Sequence, residues 1–205
     1  KSPLIEKELQ ISEEQAVQFL RSRRSVRFFK KQPVEKEKLQ RLIEIARYAP
    51  SGGNLQLVEW MVFTDADRIK EIAGLTVEWM RKLMAKAPQS VPPYFPLIIG
   101  AWDIGYNSVT WSAPALILAS APQEATTGMV DVSLALSYLD LAAQKLGLGT
   151  CWAGVVEGAL QRSATVRESV GLPDGHPYHY PMMVGYPKRK YSRLPERKAP
   201  KISWK

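Results

Sequence analysis

Four stretches of this 205-residue chain carry side chains whose types and spacing could do chemistry. The first is Arg23-Arg24-Ser25-Val26-Arg27. In an extended segment alternate side chains point the same way. Arg23, Ser25 and Arg27 would then line one side with two guanidinium groups and a hydroxyl. Arginine offers a planar fork of donors and a permanent charge, which suits a phosphate. The competing reading is a solvated basic stretch after a helix.

The second stretch is Ala49-Pro50-Ser51-Gly52-Gly53-Asn54-Leu55-Gln56. Paired glycines let a backbone approach a ligand closely. Asn54 and Gln56 each carry donors and acceptors that could read a heteroaromatic edge. A plain helix-to-strand turn explains the same residues. The third stretch, Leu146 to Gly154, puts glycines and small residues after an apolar helix, a setting in which backbone N–H groups can face a flat ligand. Cys151 lies within it. A nucleophilic Cys151 needs a base, and the two histidines, His176 and His179, form no cysteine-hydrolase pattern. A small buried residue packed near a cofactor is the favoured reading. The fourth stretch is Gly185-Tyr186-Pro187 with the basic run that follows it, where Arg193, Arg197 and Lys198 are further phosphate candidates. A solvated basic tail is the alternative.

These segments must be positioned by regular elements. Ser12 followed by Glu13, Glu14 and Gln15 predicts a capping box and a short helix through Leu20. Leu39, Leu42, Ile43 and Ala46 predict an amphipathic helix from Glu35. Val58 to Thr64 reads as a strand, with Asp65 capping a helix to about Ala73 and a separate helix over Val77 to Ala87. Pro88 to Trp111 reads as irregular, a packed connection rather than a lid by a narrow margin. Pro114 to Ala121 reads as a core strand, and Thr127 to Leu146 as a long helix buried on most sides. Ser163 caps a helix through Val170, and Met182 to Tyr186 forms the last core strand. The tail from Pro187 lacks periodicity and would be floppy unless something holds it. One domain over residues 1–205 is expected.

The formal charge of +8 points to anionic partners. Its basic clusters, Arg21 to Lys31 and Lys188 to Lys201, carry no nucleic-acid motif, so a phosphate-bearing cofactor is preferred to nucleic acid. No apolar run approaches the roughly 20 residues that span a bilayer, and no membrane association is expected. The single cysteine excludes an internal disulfide framework and any multi-cysteine metal site, so no metal is expected and the cytoplasm is the expected compartment. The chain begins with Lys1 rather than Met, which leaves processing or truncation open.

The motifs R-R-S-x-R at 23–27, A-P-S-x-x-N-x-Q at 49–56, L-G-L-G-T-x-W-x-G at 146–154 and M-V-G-Y-P at 183–187 are each weak alone. In this order and spacing the set resembles the nitroreductase family of flavoproteins, over nearly the whole chain. The resemblance implies an α+β fold, a central mostly antiparallel sheet flanked by helices, and an intertwined homodimer with FMN at the interface. Carried over by motif, Arg23, Arg24, Ser25 and Arg27 would meet the FMN phosphate, ribityl chain and ring edge. Pro50, Ser51, Asn54 and Gln56 would contact the flavin from the other subunit. Cys151, Trp152, Ala153 and Gly154 would lie beside N5, and Arg197 (or less securely Arg193) would be a C-terminal phosphate ligand. The chemistry implied is hydride transfer from NADH or NADPH to the flavin and onward reduction of nitroaromatics, quinones or similar small acceptors in a ping-pong scheme, with no side chain required as general acid. The segment Val91 to Ser112 departs from the commonest members, and substrate choice resides in such regions. The chain also resembles the flavin portion of members fused to a ferredoxin-like module. That leaves a second expectation, a flavin electron-transfer module fed by a ferredoxin-like donor.

Overall fold

The seven residues Ala115–Ala121 are all buried, and this run of small and branched apolar side chains forms the centre of a sheet. The computed structural model describes residues 4–205. In chain order its elements are α1 (Glu13–Arg21), α2 (Lys36–Ala46), β1 (Glu59–Phe63), α3 (Ala66–Lys86), α4 (Phe95–Asp103), β2 (Ala115–Ala121), α5 (Gly128–Lys145), β3 (Gly149–Trp152), α6 (Gly154–Leu160), α7 (Ala164–Val170) and β4 (Tyr178–Gly185). The four strands run β1-β2-β4-β3, and every pairing is antiparallel. Ile117 sits opposite Val62 on one side and Met182 on the other. The fold is α+β with an antiparallel sheet between helices.

Strand side chains alternate between faces, and the two faces build two cores. Ala115, Ile117, Ala119, Met182 and Val184 pack against Leu39 and Leu42 of α2 and Val132, Leu136 and Leu139 of α5. Leu116, Leu118, Cys151 and Met183 pack against Ile69, Ile72 and Val77 of α3 and against α6 and α7. Ser12 and Gln15 form the reciprocal capping box expected of α1. Among the described residues no helix is long and apolar enough to cross a membrane, and no cluster of His, Cys, Asp and Glu could hold a metal ion.

Several expectations are corrected. The two helices expected between Asp65 and Ala87 are one, α3. Gly74 does not break it, because α4 lays Trp102 on that spot: a Cβ at Gly74 would stand 3.3 Å from Trp102 Cζ2. Packing compensates for the roughly 1 kcal/mol that a mid-helix glycine costs. The Pro88–Trp111 region is not wholly irregular. It contains α4, whose Pro96 occupies the first turn, where a missing N–H costs nothing. Within this chain α5 is buried where it meets the sheet and α2, and not on most sides. Met129, Val130 and Tyr138 remain exposed, since no element covers that face. β3 and α6, which follow directly on the Gly147–Gly149 turn, were not anticipated as regular structure.

Candidate functional site

β3 is an edge strand, and the Arg23–Arg27 segment lies along its open side. Ser25 forms a parallel bridge with Thr150, and the Val26 N–H donates to the Thr150 carbonyl at 2.8 Å. Gly149 permits this approach. A Cβ there would stand 2.5 Å from Val26 Cγ2 and 3.0 Å from Pro187 Cγ. The side chains alternate as extended backbone requires. Val26 is 6% exposed and turns inward, while Arg24 stacks over the Tyr191 ring with its Cζ 4.4 Å from the centroid. On the other side Arg23 reaches the buried carboxylate of Asp140 at 3.4 Å. Ser25 and Arg27 stand close enough to the Cys151 thiol to affect its ionisation. Burial pushes that thiol's pKa up, and the Arg27 charge and Ser25 hydroxyl only partly oppose it. A buried, protonated thiol is a poor nucleophile, so Cys151 serves as packing beneath the site.

The Arg27 guanidinium itself is exposed, and no acidic side chain pairs with it among the described residues. Next to it, β3 runs into Trp152, Ala153 and the exposed Gly154. The Trp152 ring meets Tyr180 edge-on at 5.1 Å, and a Cβ at Gly154 would stand 3.1 Å from the Tyr180 hydroxyl. The Tyr180 pKa is raised, chiefly by burial and then by the negative charge of Glu157. That glutamate is tied to His179 Nδ1 at 3.0 Å and accepts from Gln161 at 2.8 Å. The structure therefore brings the first and third sequence stretches together. Their donor set, with guanidinium groups, a hydroxyl and a glycine-opened strand end beside aromatic rings, fits a planar group carrying a phosphate.

The second stretch sits elsewhere in the same chain. The Gly52 N–H donates to Asp131 Oδ1 at 3.1 Å, near the start of α5. Asp131 also accepts from Thr127 Oγ1 at 2.8 Å. Asn54 and Gln56 both have positive φ, 56° and 55°. Non-glycine residues held there store strain of order 1–3 kcal/mol, a frequent property of ligand-contacting turns. The Gln56 N–H donates to Ser51 Oγ at 3.0 Å, and Gln56 Nε2 donates to Asn54 Oδ1 at 3.2 Å. Pro50, Ser51 and Gln56 line a cavity of about 240 Å³ together with Trp60 and Asp131. Asp131 and Asp140 are nine residues apart on α5, two and a half turns and about 13 Å along its axis. The two groups of candidate residues therefore leave α5 on opposite sides, near opposite ends.

The tail is held at its base. Phe29 bridges Pro187, the Lys188 N–H donates to the Phe28 carbonyl at 2.8 Å, and Arg189 lies over the Phe28 ring at 4.2 Å. Beyond this, Arg193 and Arg197 are exposed, and Arg197 donates to the carbonyl of its neighbour Glu196. Among the described residues no hydrogen bond or ion pair joins Arg197 to the Arg23–Arg27 segment. A separate cavity of about 720 Å³ lies between α3 and the 104–114 loop; none of the cofactor candidates lines it, whereas Trp102, Asn107, Thr110 and Ser112 of the Val91–Ser112 segment do.

Asp140 and Tyr180 were missed from sequence. Asp140 had a signal, a carboxylate on the otherwise small and apolar face of α5. Tyr180 had none, because its place beside Gly154 depends on strand pairing.

The chain is similar to known proteins over most of its length. The profile described as Nitroreductase family matches residues 20–186. An FMN reductase (NAD(P)H) of Bacillus subtilis is 26% identical over 187 residues, covering 88% of this chain and 69% of its own length. The crystal structure of a Bacteroides fragilis nitroreductase with bound FMN superimposes with a TM-score of 0.72 at 20% identity, over 90% of this chain and 94% of that one. An FMN-bound nitroreductase of Desulfitobacterium hafniense gives 0.69 at 21% identity, over 89% and 93%. The matched profile takes in the arginine segment, β3 and the end of β4 together, and the chain belongs to the nitroreductase family.

Proposed function

We propose that this chain, an FMN-dependent NAD(P)H oxidoreductase, takes electrons from NADH or NADPH and passes them to nitroaromatics, quinones or related small acceptors, donor and acceptor using one site in turn. The observation that carries the reading is the docking of Arg23–Arg27 on β3, which leaves an unpaired Arg27 guanidinium beside the Trp152–Gly154 strand end. The names of the similar proteins support it, since an FMN reductase and FMN-bound nitroreductases are among them. FMN, when bound, supplies a ring that accepts a hydride from nicotinamide and returns its electrons to a second substrate. The chain's own part is to hold and tune. Arg27 supplies positive charge for a phosphate and for the negative charge that builds on a reduced ring. Ser25 adds a hydroxyl, and Gly154 leaves the backbone open to close approach.

The turn Pro50–Gln56 belongs in this reading to the site of a second copy. Its placement across α5 from the arginine segment supports a site shared between two chains. So do the exposed apolar residues Val17 and Leu20 of α1 and Met129, Val130 and Tyr138 of α5. Purified protein is expected to be yellow, to sediment as a dimer, and to bleach on anaerobic mixing with NADH or NADPH. Arg27→Ala should weaken FMN retention at least tenfold, and unchanged affinity would count against the assignment. Bleaching by a reduced ferredoxin but by neither nicotinamide would replace the proposed donor.

A further inference from the structure

Asp140 is 4% exposed and lies at the edge of the helix face that presents Val132, Leu136, Leu139 and Ala143 to the core. Such a carboxylate is costly to bury unless donors surround it. Three do. Arg23 Nη1 approaches Oδ2 at 3.4 Å, the Trp152 indole N–H donates to Oδ2 at 3.3 Å, and the Thr150 hydroxyl donates to Oδ1. Each donor comes from a different point of the candidate site: the arginine segment, the middle of β3, and the end of β3. One turn further along α5, Gln144 Oε1 accepts from Ser22 Oγ at 3.3 Å and fixes the approach to Arg23.

We propose that Asp140 is a positioning residue of the flavin site: it clamps Arg23, Thr150 and Trp152 to one buried carboxylate, and by offsetting the charge of Arg23 it leaves Arg27 as the cation that tunes the cofactor. The role rests on the flavin reading of the site. It also separates two arginines that the sequence treats alike. Arg23 shares its charge with Asp140, and Arg27 has no acidic partner among the described residues. Trp152 gains a fixed ring orientation from its indole N–H, so the face it offers beside Gly154 does not depend on a ligand.

The charge argument gives a sign that packing alone does not. Asp140→Asn keeps the shape and leaves Arg23 uncompensated, adding one positive charge to the site. Reduction of the flavin adds negative charge, so this variant should favour the reduced form. Arg23→Gln leaves Asp140 uncompensated and should disfavour it. Each shift should be about tenfold in the reduction equilibrium, which is about 30 mV for a two-electron couple, in opposite directions. The experiment measures the midpoint potential of FMN bound to wild type, D140N and R23Q, and adds the D140N/R23Q double variant to complete a double-mutant cycle of urea stability without FMN. Opposite shifts together with a coupling of at least fivefold between the two positions are expected. Shifts of the same sign, no shift in either variant, or additive stabilities overturn the proposal. If D140N does not fold, R23Q carries the test, since Arg23 is the more exposed partner, and an unchanged or raised potential there overturns it. A wild-type chain that takes up no FMN overturns the flavin reading and this role with it. Coupling found in that case would show that Asp140 is structural only.

Discussion

An alanine at position 149 would place its methyl carbon 2.5 Å from Val26 Cγ2, 2.9 Å from Val26 Cβ and 3.0 Å from Pro187 Cγ. None of the three can retreat freely. Val26 is 6% exposed, its N–H is bonded to Thr150, and Pro187 is bridged to Phe29. Forcing a methyl into packed surroundings costs about 1–3 kcal/mol. Pushing the segment off β3 sacrifices a backbone hydrogen bond with a net value of about 0.5–1.5 kcal/mol. The smaller entropy of the unfolded alanine chain returns about 0.5 kcal/mol. Gly149→Ala should therefore lose about 2 kcal/mol in urea unfolding. It should also release FMN more readily, because the displaced segment carries Ser25 and Arg27. Val26→Ala removes two methyl groups, worth about 1.6 kcal/mol at roughly 0.8 each, and also removes the closest clash. The double variant should then be at least about 1 kcal/mol more stable than the sum of the single losses. The reasoning fails if Gly149→Ala changes stability by less than about 0.5 kcal/mol and keeps its FMN, or if the two substitutions are additive.

Gly52→Ala would bring a Cβ to 2.2 Å from Thr127 Oγ1, which is itself bonded to Asp131. A loss of about 1–3 kcal/mol is expected from overpacking, read by urea titration, and full stability would show that the turn is not pinned to α5. Cys151 gives a pH dependence. Its folded pKa is raised by burial above that of the unfolded thiol, so the native state holds the proton longer. The associated stability is complete below the ordinary thiol pKa of roughly 8.5 and is lost as pH climbs through the folded value. Between pH 8 and 10 the wild type should lose more stability than Cys151→Ala. Equal losses would refute the assignment.

The parts of the fold that could be read in advance are those where a local rule and the tertiary environment agree. The capping box of α1, the apolar face of α2 and the seven-residue run of β2 each specify their element without outside help. The misread parts are those where a neighbour distant in sequence decides. Gly74 looks like a stop until Trp102 fills the space above it. Pro96 looks like a breaker until it falls in the first turn of α4. α6 is seven residues long and contains Gly154 and Gly158, too short and too glycine-rich to show a helical period. Its helix is stabilised by packing Val156, Ala159 and Leu160 into the core under α3.

The site shows the same division more sharply. Residue types and spacing identify which segments carry donors, because arginine, glycine and amide side chains advertise their chemistry. They do not show how those donors are distributed. Arg23 and Arg27 are equivalent in an alternating R-x-S-x-R pattern, yet in space one is paired with Asp140 and the other has no acidic partner among the described residues. The difference arises from residues 117 positions apart, which no local reading can couple. A buried carboxylate on an apolar helix face is the trace such coupling leaves in a sequence. It must have donors, and it draws some of them from segments distant in the chain, Arg23 for Asp140 and the Gly52 N–H for Asp131. Asp131 and Asp140 both fit that description. Each fastens a different candidate stretch to α5, and the helix thereby fixes which residues can meet within one chain.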